Sequence, residues 1–240
     1  LAISLGSSDP EARLVALWAA FEVLLPQPTK DKESVVRITH FTDLLVPCIL
    51  HERFKVMFEV TYRNLREQFG DDFAKFVGDH GVGRTKAEKF AWLILGENGR
   101  QAALIDIISE SALAVYRVGR LNRSFLEVKS VIDRVSALEK KVEWQLHRIY
   151  RERNNIVHSG TSTRALDDLL EHGYLYYQSI LVLIERSARI LGIMDSDDAI
   201  EFINIAYRKR KARLQGAFAV NDKNRLDVSK FLDVVFDEKL

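Results

Sequence analysis

From Val128 to Ile149 the residues Val128, Val131, Ile132, Val135, Leu138, Val142, Leu146 and Ile149 recur at steps of three and four. Such steps stack side chains along one face of an α-helix, whose residues turn about 100° each. The result is a long helix with a narrow apolar seam, as in a helical bundle. Strand signals, meaning alternating β-branched runs bounded by Asn-Gly or Asp-Gly, are nearly absent. The expected fold class is therefore all-α, a helical bundle with additions.

Helix signals recur along the rest of the chain. In "SSDPEARLVALWAAFEVLL" Asp9 is a good N-cap, Pro10 suits the first helical position, and Glu11 faces the helix dipole. Leu14, Leu17, Trp18, Phe21, Leu24 and Leu25 make one apolar face, with Glu22 beside it, and "PQP" ends the helix. A second helix is expected from about Lys32 to Leu50, interrupted near Pro47, and a third from Glu52 to Gly70. Short helices and turns are expected around 70–83, then helices in "TKAEKFAWLIL" and "GRQAALIDIISESALAVYRVG". Ser124 and Glu127 have capping-box spacing ahead of the seam helix. "HSGTST" stops that helix, with Gly160 as left-handed terminator, and another helix then runs to Gly192. "SDDAIEFINIAYRKRKARL" and "VSKFLDVVFDEKL" supply two more.

The 240 residues suit one large domain or two small ones. A net charge of +1 argues against a polycation that coats nucleic acid by charge alone. Cys48 is the single cysteine, so no internal disulfide or multi-cysteine zinc site can form, and a reducing, cytoplasmic setting fits. No apolar run approaches the ~18 residues that span a bilayer, so no membrane partner is expected. The chain opens at Leu1 rather than methionine. It is expected to be a piece of something longer, with an N-terminal domain or partner protein outside it.

The seam itself leads to the most informative residues. After 142, 146 and 149 its next member is Arg153. A guanidinium stays charged, and burying it unpaired is costly. The inward direction at this level must therefore meet a cleft, a carboxylate or a partner chain. His158 follows five residues later, roughly 140° around an unbroken helix. The two side chains converge only if the last turn loosens, which "SG" at 159–160 favours, or if a second copy completes the site.

Arg153-Asn154-Asn155-Ile156-Val157-His158 resembles the Rx4–6H motif of the HEPN superfamily, and "RERNNIVHSG" is most similar to the Apea-like HEPN group. "ARLVALWAAFEVLL" also resembles that group's first helix. The likeness covers residues 1–50 and 125–190; the middle of the chain carries no matching signature. The resemblance implies a HEPN-like all-α domain over 1–215 with an inserted helical region at about 70–123, followed by a C-terminal tail, 216–240, bearing a short helix. It further implies a metal-independent endoribonuclease that works as a homodimer, both motifs lining one cleft, without a cofactor. Such families serve as toxins or as effectors of antiviral defence against phage.

The residue types suit that chemistry. An imidazole titrates near neutral pH, so His158 can transfer the protons of a 2′-OH attack. Arg153 can hold non-bridging phosphate oxygens at two points as charge builds. Asn154 would fix the histidine or the phosphate. Glu22 is placed to pair with Arg153, Tyr150 to stack on a base, and Ser159 to let the helix end. Arg148 and Arg151, and Arg208, Lys209 and Arg210 within "YRKRKAR", are candidate contacts to RNA phosphates.

Plainer readings compete for each residue. Arg153 and His158 would serve as a buried ion pair and a helix-terminal cation, in a non-catalytic HEPN dimerisation or interaction module. Arg148, Arg151 and the basic run would be a solvated face, and Tyr150 a packed ring. Tyr174, Tyr176 and Tyr177 read as core or interface packing, and Cys48 as a core residue. "GVGRTK", 81–86, lacks the spacing and the preceding strand of a phosphate loop. The histidines share no metal-ligand spacing.

Overall fold

The computed structural model describes residues 6, 8–25, 34–96, 99–125, 127–162, 166–216 and 226–237, with the backbone alone at 34–37 and 128. No strand occurs among them. Helices follow in the order α1 (Pro10–Leu24), α2 (Ser34–Leu50), α3 (Arg53–His80), α4 (Lys86–Leu95), α5 (Arg100–Ile108), α6 (Ala112–Ser124), α7 (Val128–Ser159), α8 (Asp167–Leu191), α9 (Ser196–Gly216) and α10 (Val228–Val235). The fold is all-α. The "PQP" expected to stop α1 lies outside the described residues.

Several boundaries differ from expectation for local reasons. α2 runs through Pro47 without a break; the proline, which has no N–H, forgoes its own bond to the carbonyl four residues back, and the helix carries on to Leu50. α3 continues past Gly70, which absorbs a kink with φ 70° and ψ −152°, a conformation open to glycine. The stretch after Arg100 is two helices, and the Ser111 hydroxyl caps the second by accepting from Ala114 N at 3.3 Å. Ser124 does not cap α7. It is the last residue of α6, and its hydroxyl donates to Arg120 O at 2.8 Å.

The chain forms two compact units, the first made of residues 1–51 and 137–208, the second of 52–136 and 209–240. Helices α7 and α9 contribute to both. The region 70–123 and the described part of the tail, 226–237, belong to the second unit.

In the first unit α8 packs on both α1 and α2. The Asp9 carboxylate caps α1, accepting from Glu11 N at 3.0 Å and Ala12 N at 3.4 Å. Leu14, Leu17, Trp18 and Phe21 are buried on its inner face. Trp18 meets Phe21, Phe41 and Tyr150, and Phe21 meets the edge of Tyr177 at 5.4 Å. Gly173 permits the close approach of α8, since a Cβ there would lie 2.6 Å from Leu17 Cδ2 and 3.5 Å from Ile149 Cδ1. Asn204 ties α9 to α2 by donating to Leu44 O at 3.1 Å.

The second unit is built on aromatic rings. Phe54, Phe58, Phe125, Phe231 and Phe236 form one cluster, and Tyr62, Phe73 and Phe90 another. Each buried ring contributes on the order of 1.5–3 kcal/mol of transfer free energy. "GVGRTK" is the start of α4: Thr85 Oγ1 accepts from Glu88 N at 3.1 Å, and the buried Glu88 carboxylate accepts from Arg84 N at 2.7 Å. That pattern is close to a capping box.

Candidate functional site: the end of α7

Helix α7 brings the seam to Arg153 within the first unit. Val142, Leu146 and Ile149 are buried below it. At the next level the guanidinium faces α1, where Glu22 Oε2 lies 4.0 Å from Arg153 Nη2. Trp18 Nε1 donates to the other carboxylate oxygen at 2.9 Å, so the tryptophan fixes Glu22. Arg153 Nη1 donates to Asn154 Oδ1 at 2.9 Å, and its buried Nε has no acceptor among the described residues. The Arg153 side chain is 26 % exposed, so the cation is held at the rim of the bundle rather than sealed inside it.

The helix does not loosen at its end. α7 is helical through Ser159, and Gly160 N donates to Ile156 O at 2.9 Å in regular α-helical register. Gly160 then turns the chain with φ +72°, and Ser162 N donates to Glu11 Oε1 at 2.6 Å, anchoring the chain on α1. Arg153 and His158 therefore leave the axis about 140° apart, and His158 and Ser159 are exposed. One copy of the chain does not bring the arginine and the histidine together.

His158 instead shares an outer stripe with Asn155, Arg151, Arg148 and Trp144, all within about 80° of arc. Arg151 is exposed. Arg148 lies over the Trp144 ring at 4.7 Å, and its buried Nε lacks a partner among the described residues. Trp144 is 59 % exposed. Its signal in the sequence is the second three-and-four series 144, 148, 151, 155 and 158. Glu152, on the same helix, is 2 % exposed.

The remaining candidates fall elsewhere. Tyr150 packs its ring on Trp18 at 5.2 Å. Arg208 is the last residue of the first unit and Lys209 begins the second stretch of the second unit, both exposed. Arg210 Nη2 donates to Asp237 O at 3.0 Å, and Arg213 pairs with the Asp237 carboxylate at 2.7 Å, so part of the basic run holds the C-terminal segment. Tyr174 accepts from Arg13 Nε at 3.4 Å, and Tyr176 donates to Gln145 Oε1. Burial pushes the Cys48 thiol up to about 12. Among the described residues no group of three or more His, Cys, Asp or Glu could hold a metal ion, and no helix is long and apolar enough to cross a membrane.

Comparison of the chain with protein-family models, with curated proteins and with solved structures finds no match in any of the three.

Proposed function

We propose that the chain is a metal-independent HEPN endoribonuclease, a toxin or anti-phage effector that cleaves RNA as a homodimer. The single observation that supports this is the placement of Arg153. It is a permanent cation on the apolar seam of a bundle helix, oriented by Glu22 and Asn154 and still open at the rim. In the reaction the ribose 2′-oxygen attacks the adjacent phosphorus and the P–O5′ bond breaks. The products are a 2′,3′-cyclic phosphate and a 5′-hydroxyl. Arg153 neutralises the charge gathering on the phosphate, and Asn154 holds its guanidinium. His158 carries the proton. Because the two side chains diverge on one helix, the arginine of one copy works with the histidine of the other. Arg148, Arg151 and Trp144 lie on the same stripe as His158 and suit a single strand, two cations for phosphates and one ring for a base.

A second reading is a non-catalytic HEPN dimerisation or interaction module. It is favoured by the internal partners of Arg153 and by the 140° offset. Incubation of purified protein with total RNA in EDTA separates the two. Cleavage leaving cyclic-phosphate ends, lost in both Arg153→Ala and His158→Ala with folding intact, supports the enzyme. Absence of cleavage, with cell toxicity unchanged in both variants, supports the module. Mixing the two inactive variants should restore part of the activity if the site is shared between copies.

A further inference from the structure

The second unit contains a cleft of about 260 Å³ between the first half of α3, the end of α6 and the start of α7. Four arginines line it: Arg53, Arg117, Arg120 and Arg134. No carboxylate is among the described residues that line it. Arg53, Arg117 and Arg120 are exposed at the surface, whereas Arg134 is partly buried. Arg134 Nη1 donates to Ser124 Oγ at 3.1 Å, and its guanidinium lies 5.8 Å from the Phe125 ring centroid. Those contacts fix its direction, yet its buried Nε has no acceptor among the described residues. Burial first, and then the charges of Arg120 and Arg53, lower the proton affinity of this guanidinium. Like charges gathered without a counter-ion repel one another. Folding has thus assembled a cluster that an anion would relieve.

We propose that this cleft binds a compact ligand through a diphosphate group, as in a nucleoside diphosphate. Planar guanidinium groups match phosphate oxygens two at a time, and a diphosphate offsets more of the cluster's charge than a single phosphate can. Val56, Met57, Val60 and Leu121 give the cleft an apolar wall for the body that carries the phosphates. Thr61, Asn64 and Gln68 add hydroxyl and amide groups able to read a polar edge. At about 260 Å³ the cleft falls just below the roughly 300 Å³ at which small-molecule sites begin, so it has room only for a compact group. An extended polyanion needs no such wall or enclosure. The proposal stands apart from the nuclease reading, because every lining residue belongs to the second unit.

The test is isothermal titration calorimetry on the full chain with ADP, pyrophosphate, inorganic phosphate, adenosine and a single-stranded RNA oligonucleotide in turn. It is repeated on Arg117→Gln/Arg120→Gln, whose exposed positions leave the core intact, with a thermal melt to verify folding. ADP should bind more tightly than phosphate, and adenosine should not bind. The double variant should weaken ADP by about tenfold or more, as expected for lost charge-assisted hydrogen bonds. Pyrophosphate binding as tightly as ADP would uphold the diphosphate site and assign an inorganic source. Failure of both ADP and pyrophosphate to bind would overturn the proposal. So would equal ADP affinity in the variant, or an effect of the variant on RNA alone.

Discussion

Arg153 and Glu22 meet across α7 and α1 with Nη2 and Oε2 4.0 Å apart, and Trp18 holds the carboxylate by its other oxygen. Both side chains keep partial contact with solvent, 26 % and 20 %, which screens the pair. Glu22→Gln should therefore cost no more than about 1 kcal/mol in urea unfolding. It should lower RNA cleavage only in part, because it leaves the guanidinium in place. Arg153→Ala should abolish cleavage while shifting stability by a similarly small amount. A loss of several kcal/mol in either variant would make the pair a structural staple rather than a poised cation.

Trp144 carries Arg148 at 4.7 Å and is more than half exposed. Trp144→Ala should change stability by less than about 0.5 kcal/mol, as surface substitutions usually do. Stacking of a base on its ring is worth about 1–3 kcal/mol, so affinity for single-stranded RNA should fall by roughly tenfold. Fluorescence anisotropy with a labelled oligonucleotide reads this directly. Unchanged affinity would remove the outer stripe from the RNA path.

At Gly173 an added methyl would stand 2.6 Å from Leu17 Cδ2, and Leu17 is fully buried. The leucine cannot turn away without displacing its own neighbours. Gly173→Ala should destabilise the first unit by about 1–3 kcal/mol, outweighing the ~1 kcal/mol gained from helix propensity. A chemical denaturation midpoint at or above that of the parent chain would show that α8 has room to retreat.

Burial raises Cys48 from its ordinary 9.0 to about 12. The thiol should resist disulfide-exchange reagents at neutral and mildly alkaline pH in the folded chain, and react at once in denaturant. The sign for stability follows. Below pH 9 the thiol is protonated in both states and its contribution is constant. Between pH 9 and about 12 the unfolded chain loses the proton first, so this contribution falls as pH rises. Cys48→Ala should flatten that part of the stability profile; fast labelling of the native protein would contradict the burial.

Much of the helix layout was legible because its causes are local. Asp9 and Pro10 begin α1, and Gly160 and Gly192 end α7 and α8 with φ of +72° and +71°. The seam 142, 146 and 149 is buried as its spacing implies. Boundaries at which one residue type suits two local outcomes were not legible. Ser124 has the spacing of an N-cap, but its hydroxyl serves Arg120 and Arg134 instead. Gly70 looked like a terminus and became a kink.

The sequence by itself determined the helical period, the caps and the stretch at which a cation interrupts the apolar seam of α7, because each depends on neighbours within a turn or two. Only the tertiary structure decided what those residues face. Packing of α1 on the bundle set Glu22 before Arg153, and unbroken register to Ser159 turned His158 to the opposite side. Folding of α3, α6 and α7 gathered four arginines separated by up to 81 positions, Arg53 to Arg134, around one cleft. A linear pattern cannot express such placements, since they arise from where helices cross rather than from how any one of them winds.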